Sequence, residues 1–139
     1  MFWFEKDKAD EGVGLQGFEA QTYKKVKGAF SEFKTILKSS TDQAIGLGEK
    51  CYGFGAAQML PILAYHMESD LGFMEAILDD NPDRSKCRLP GVLPLIRAPK
   101  DGEIQDAAVM ITAIDSSRAI LSRLFELNPR RILHPMHSF

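Results

Sequence analysis

A chain of 139 residues with 17 Lys and Arg, 19 Asp and Glu and a formal charge of −2 has the length of one domain, enough for one core and too little for two. That charge balance excludes a general nucleic-acid binder, whose phosphate contacts need a clustered excess of cations, and no apolar run approaches the roughly 20 residues that cross a bilayer. Cys51 and Cys87 stand too far apart for a zinc-ligand pair, and without a secretory leader they imply no disulfide framework, so the expected compartment is the cytoplasm.

Residues 1–16 mix charge with Gly12 and Gly14 and show no period, which predicts a flexible N-terminal segment. Its apolar start, Met1-Phe2-Trp3-Phe4, reads either as a packing edge or as a tail. Residues 17–139 read as a single domain. Tyr23, Val26, Phe30, Phe33 and Leu37 recur at steps of three and four and predict an amphipathic lead-in helix over 18–38. Lys27, Lys34 and Lys38 occupy another face, most simply a solvated one. Ser39-Ser40-Thr41-Asp42 ends the helix in this reading, and Gly46 and Gly48 loosen the approach to the next element.

Strands follow near 50–54, 73–79, 107–114 and 131–134, with helices near 56–68 and 115–127 and a weaker fifth strand at Val92 to Ile96. Ala107 to Ile114 is an almost unbroken apolar run, as expected of a strand covered on both faces. The alternation predicts an α/β, Rossmann-like open sheet of four to five mostly parallel strands flanked by helices, preceded by the long amphipathic helix.

Within that frame Cys51-Tyr52-Gly53-Phe54-Gly55-Ala56-Ala57 is a strand, a tight glycine turn and a helix start. Such a turn offers backbone N–H groups to a phosphate, and it is also the ordinary way to connect a strand to a helix. Gln58 stands where a dinucleotide fingerprint has its third glycine, which counts against an NAD site. Asp79 and Asp80 end the second strand, where an acid can accept from a ribose hydroxyl; they also open the turn-forming Asp80-Asn81-Pro82-Asp83. Asp115-Ser116-Ser117 supplies a second set of helix-start amides at the same sheet edge. Lys86 and Arg88 are candidate phosphate partners, though exposed cations are commoner.

The order Phe54-Gly55-Ala56-Ala57, Leu78-Asp79-Asp80-Asn81-Pro82, Lys86 and Leu89-Pro90-Gly91-Val92-Leu93-Pro94-Leu95 resembles the C-terminal domain of sugar C-methyltransferases. These enzymes methylate a carbon of a nucleotide-linked deoxysugar using S-adenosylmethionine. The likeness covers roughly residues 15 to 135. It departs from the family pattern at Met59 and Leu60, where a lysine and a glycine are usual, and at Val92, where threonine is usual. The family's S-adenosylmethionine domain and catalytic middle segment are not in this sequence. The resemblance therefore implies a non-catalytic nucleotide-sugar-binding or scaffolding domain that works with a methyltransferase domain or subunit holding the S-adenosylmethionine, and that itself binds no cofactor.

The candidate nucleotide or phosphate site is Gly53, Phe54, Gly55, Ala56, Ala57, Asp79, Asp80 and Asn81. On that reading Gly55→Val removes binding and leaves the fold largely intact. No catalytic residue and no metal site is assigned. His66 beside Tyr65 and Glu68 reads as structural, His134 and His137 lack further clustered ligands, Cys51 reads as packed inside the first strand, and Cys87, beside Lys86 and Arg88, has no adjacent histidine base. The expected partner is a nucleotide-linked sugar, with neither nucleic acid nor membrane, and a homodimer is compatible with the sequence. Two alternatives stay open: an interaction module that kept the fold and lost its ligand, motivated by Met59, Leu60 and the apolar N-terminus, and an NAD-binding domain.

Overall fold

Five parallel strands in the order β3-β2-β1-β4-β5 form an open sheet in the computed structural model, which describes residues 13–136. In chain order the elements are α1 (Val13–Gly46), β1 (Cys51–Phe54), α2 (Leu60–His66), β2 (Met74–Leu78), β3 (Ile96–Arg97), β4 (Ala108–Ile111), α3 (Ser117–Leu127) and β5 (Arg131–Leu133). This is the Rossmann-like α/β architecture expected from the alternating pattern. The predicted N-terminal segment 1–16 lies outside the described residues up to position 12, and α1 begins at Val13. The chain divides between Phe33 and Lys34 into two compact units, a boundary that falls inside α1.

Every residue of β1 and β4 is buried, because both are central strands covered on two faces. Their register runs Cys51↔Ala108 to Phe54↔Ile111. The edges are short: β3 has two residues and β5 three. One side of the sheet packs Tyr52, Phe54, Ala76, Leu78, Val109 and Ile111 against Ile104, Ile120 and Leu124.

Several predicted boundaries move, each for a local reason. The lead-in helix runs past Ser39-Ser40-Thr41-Asp42 to Gly46. Ser40 Oγ donates to Ile36 O (3.0 Å) or Pro135 O (2.7 Å) and Thr41 Oγ1 to Leu37 O (3.1 Å), so hydroxyls that often cap a helix are used along it. Leu37, Thr41 and Ala44 are buried, which continues the apolar face at steps of four and three. Lys34 and Lys38 of the basic row each lie 3.5 Å from Glu68.

α2 starts at Leu60, not at residue 56. Pro61 sits in its first turn, where the missing N–H is no loss, and the Leu60 amide closes a turn onto Ala57 O at 3.0 Å. The fifth strand is confined to Ile96 and Arg97 because Val92 N closes a turn onto Leu89 O and Leu93 N donates to Asp70 O in the loop before β2, which takes both out of the sheet ladder. α3 is preceded by a single 3-10 turn, Ile114–Ser116.

Candidate functional site

The strand order places β1 next to both β2 and β4; the connection after β1 runs to β2 and the one after β4 runs to β5, in opposite directions along the sheet. Outside the carboxyl ends of such strands the connections diverge and leave a crevice. Here that crevice has a volume of about 230 Å³ and is lined by Phe54 and Gly55 after β1, Asp79 and Asp80 after β2, Arg84, Ala113 after β4, and Ser116, Ala119, Ile120 and Arg123 from α3.

Its floor is made by two residues with little or no side chain. Gly55 has φ +102°, and a Cβ there would lie 2.5 Å from Ala113 Cβ, 2.9 Å from Ile120 Cδ1 and 3.1 Å from Ala113 N. The turn therefore needs glycine for both its conformation and its packing. This corrects the expectation that Gly55→Val spares the fold. Gly53 is glycine for packing alone, since a Cβ would meet Met74 Sδ and Thr112 Cγ2 at 3.0 Å. Thr112 clamps the turn from β4: its amide donates to Phe54 O (2.9 Å) and its hydroxyl to Gly55 O (2.6 Å).

The turn's amides are engaged differently from the sequence expectation of open donors. Gly55 N donates to Leu78 O at 2.8 Å and Ala56 N to Asp79 Oδ2 at 2.8 Å. Two parallel strands with a carboxylate at the end of one bring those acceptors close enough to close the turn internally. The amides of Ala57 and Gln58 have no acceptor among the described residues, but neither residue lines the crevice. Met59 does not line it either and is 55% exposed.

The two adjacent acids have different surroundings. Asp79 is buried; Oδ2 accepts from Ala56 N and from Arg84 Nη1 (3.0 Å), and Oδ1 accepts from Asn81 N (2.8 Å). Burial alone would raise its pKa, yet the amides of Ala56 and Asn81 and the Arg84 guanidinium together hold the carboxyl below its ordinary value. Asp80 faces outward and is held across the crevice by a two-point bond from Arg123, Nε to Oδ2 at 2.9 Å and Nη2 to Oδ1 at 3.3 Å. Both side chains of this pair are well exposed, 38% for Arg123 and 49% for Asp80. Arg123 also reaches Glu126 at 3.2 Å.

Of the sequence-predicted site, Phe54, Gly55, Asp79 and Asp80 line the crevice, whereas Gly53, Ala56, Ala57 and Asn81 do not. Asn81 forms a turn: its Oδ1 accepts from Asp83 N at 3.0 Å and starts the 3-10 turn Pro82–Arg84. Lys86 and Arg88 lie away from the crevice lining, and the cations that reach it are Arg84 and Arg123. Ser116, Ala119, Ile120 and Arg123 share a face at steps of three and four, and the structure turns that face toward the sheet edge.

Other chemistry-bearing residues are used structurally. His134 Nδ1 accepts from Met136 N (3.1 Å), which places the proton on Nε2, 2.9 Å from Ser117 Oγ. The Ser117 hydroxyl in turn donates to Ile114 O, so the pair links the end of β5 to the start of α3. His137 lies outside the described residues, and no group able to hold a metal is present among the described ones. The ring of His66 meets Tyr65 edge-on at 5.4 Å. Burial pushes the Cys51 thiol up to about 12, which keeps it protonated, and Cys87 is exposed. Among the described residues no helix is long and apolar enough to cross a membrane. Comparison of the chain with protein-family models, with curated proteins and with solved structures finds no match.

Proposed function

We propose that this chain is a binding domain for the nucleotide end of a nucleotide-linked sugar, held in the crevice at the carboxyl ends of β1, β2 and β4. The observation that carries this reading is the lining of that crevice: one exchangeable acid, Asp80, and two guanidiniums, Arg84 and Arg123, around a floor of Gly55 and Ala113. An acid at the end of β2 can accept from sugar hydroxyls, and guanidiniums match phosphate oxygens. Because Gly55 N and Ala56 N are already bonded, the phosphate partners in this reading are the arginines and not the glycine turn. A conventional dinucleotide site, which uses those amides, is correspondingly disfavoured. The volume of about 230 Å³ is below the roughly 300–1,000 Å³ of full small-molecule clefts, so the crevice takes part of the ligand and the sugar projects outward.

The resemblance to the C-terminal domain of sugar C-methyltransferases supports the same assignment. On it, methyl transfer and S-adenosylmethionine belong to a separate domain or subunit that receives the projecting sugar. Calorimetry and thermal melts with uridine- and thymidine-diphosphate sugars test the proposal. Saturable heat and a raised Tm, both removed by Asp80→Ala, are expected; no response at millimolar ligand overturns it.

A second reading is favoured by one observation. Met59, just before α2, and Ile62 and Tyr65 within it are 55%, 51% and 76% exposed at successive steps of three. An interaction module would use such a face, and sedimentation that shows a tight dimer with no response to nucleotides would select it.

A further inference from the structure

We infer that a groove between α2 and the turn at Pro90 and Gly91 docks an extended, proline-containing peptide of a partner protein that carries a basic side chain. This second site shares no lining residue with the crevice and does not depend on the nucleotide reading.

The groove has a volume of about 930 Å³, against about 230 Å³ for the crevice, and so reaches the range of roughly 300–1,000 Å³ that binding clefts occupy. Pro61, Ala64 and Tyr65 line it from α2; Ala64 is buried, whereas Tyr65 is 76% exposed. Past the end of α2 the chain turns at Glu68, whose φ of +54° is left-handed, and Glu68, Ser69 and Asp70 all reach the groove. Leu93 N donates to Asp70 O at 2.8 Å, which ties the segment after Gly91 to this loop. Two prolines and one tyrosine give a rigid apolar lining that loses little side-chain freedom when a ligand covers it.

Backbone chemistry excludes a pairing strand as the occupant. Pro90 and Pro94 have no N–H, and the amides of Val92 and Leu93 are spent on Leu89 O and Asp70 O, so a peptide cannot extend a ladder along this segment. The polyproline II conformation needs no ladder: its backbone makes no internal hydrogen bonds and stays solvated, and its proline rings pack on aromatic side chains. Charge then selects what that peptide carries. The lining holds two carboxylates, Glu68 and Asp70, and no cation. Lys34 and Lys38 each reach Glu68 at 3.5 Å from outside the groove, in exposed pairs. Asp70 has no ion pair among the described residues; its Oδ1 accepts from Gly72 N at 2.8 Å, which leaves Oδ2 to accept from a guanidinium or an ammonium.

The test is fluorescence anisotropy on the full chain with a labelled peptide, Arg-Pro-Leu-Pro-Pro-Leu-Pro, and its reverse sequence, since such peptides dock in either direction. Two further sets replace Arg by Glu, or every Pro by Ala. Wild type, Tyr65→Ala, Asp70→Asn and Asp80→Ala are compared, each checked by thermal melt; Asp70→Asn keeps an acceptor for Gly72 N and removes only the charge. Wild type is expected to bind the Arg peptide in at least one direction, and to bind its Glu and Ala counterparts at least about tenfold more weakly. Tyr65→Ala is expected to lose at least about tenfold in affinity. Asp70→Asn is expected to narrow the gap between the Arg and Glu peptides, as added salt should in wild type, and Asp80→Ala is expected to bind as wild type does. Equal affinity for the Arg and Glu peptides, or for the Pro and Ala peptides, overturns the inference. So does a Tyr65→Ala variant that melts and binds as wild type does, or a loss of binding in Asp80→Ala, which would move the peptide to the crevice. Absence of binding in both directions at millimolar peptide also overturns it, and every one of these results leaves the nucleotide reading to its own test.

Discussion

Asp79 and Ala56, 23 positions apart in sequence, are joined by a 2.8 Å hydrogen bond from the Ala56 amide to the Asp79 carboxylate, which closes the glycine turn from the end of the neighbouring strand. The acid that a nucleotide-binding pattern would assign to a ligand is here part of the turn's own backbone accounting. Substitution by Asn keeps the shape and one acceptor but leaves either the Asn81 or the Ala56 amide facing an NH₂, with Arg84 losing its counter-charge. Asp79→Asn is expected to lower stability by about 1–3 kcal/mol, read by urea unfolding at neutral pH.

The same carboxylate predicts a pH dependence. Its folded pKa lies below the ordinary value of 3.8, so the unfolded state binds its proton first as pH falls. The stabilisation is present above the unfolded pKa and is lost as pH drops through the lower, folded value. Unfolding curves of wild type and Asp79→Asn should therefore be well separated at pH 7 and converge below that window. A gap that stays constant from pH 7 to pH 2 would show that the carboxylate charge is not what holds the turn.

How far the fold was readable follows the same local physics. β1 and β4 announce themselves because a central parallel strand is apolar on both faces, and Cys51–Phe54 and Ala108–Ile111 are. The start of the fifth strand was read four residues early since Val92 and Leu93 are as apolar as Ile96, and only the Val92 turn onto Leu89 O and the Leu93 bond to Asp70 O distinguish them. Pro61 was a legible start signal for α2. The extension of α1 through Ser40 and Thr41 was not, because a hydroxyl that caps a helix and one that bonds back to the carbonyl four residues earlier are the same residue type. In the crevice, Gly55 and Asp80 stood out by type and position. Arg84 and Arg123 did not, since what distinguishes them from Lys86 and Arg88 is which side of a turn or helix meets the sheet edge.

Gly55 offers a second stability test. Ala at this position carries the strain of φ +102° and places its Cβ 2.5 Å from Ala113 Cβ, which together should cost about 2–5 kcal/mol. Ala113→Gly removes the nearest of the clashing atoms and leaves the backbone strain. Unfolding free energies of Gly55→Ala, Ala113→Gly and the double variant should be non-additive, with the double variant recovering part of the Gly55→Ala loss. Strict additivity would place the cost in the backbone alone.

A half-buried ion pair sits on another part of the sheet. Arg97 donates to both oxygens of Glu103, at 2.7 and 2.6 Å, while the Lys100 amide donates to the same carboxylate at 3.0 Å. The Arg97 guanidinium also lies 6.0 Å from the centre of the Tyr52 ring. The Arg97 fork, against the opposing effect of burial and with help from Lys100, holds Glu103 below its ordinary 4.5. Burial and the Glu103 charge raise the Tyr52 phenol above 10. Glu103→Gln is expected to destabilise by about 1–3 kcal/mol at neutral pH, to lose that difference as pH falls through the folded carboxyl's pKa, and to bring the Tyr52 titration down toward 10. Ultraviolet titration of a Tyr52→Phe control identifies the phenol; an unmoved Tyr52 titration in Glu103→Gln would remove the electrostatic link.

Asp80 and Arg123 provide the contrast that separates a ligand-facing pair from a structural one. Their bond has two points, as does that of Arg97 and Glu103, but it lies at the surface, where solvent screens the charges and competes for the donors. A double-mutant cycle of Asp80→Ala and Arg123→Gln should give a coupling energy of no more than about 1 kcal/mol, and salt should reduce it further. Each single variant should also leave Tm nearly unchanged, in contrast with Asp79→Asn. A pair that contributes so little to the fold can open for a ligand at small expense. A coupling near the buried-pair range of about 3–5 kcal/mol would instead make the fork part of the scaffold, and no ligand of ordinary affinity would then part it.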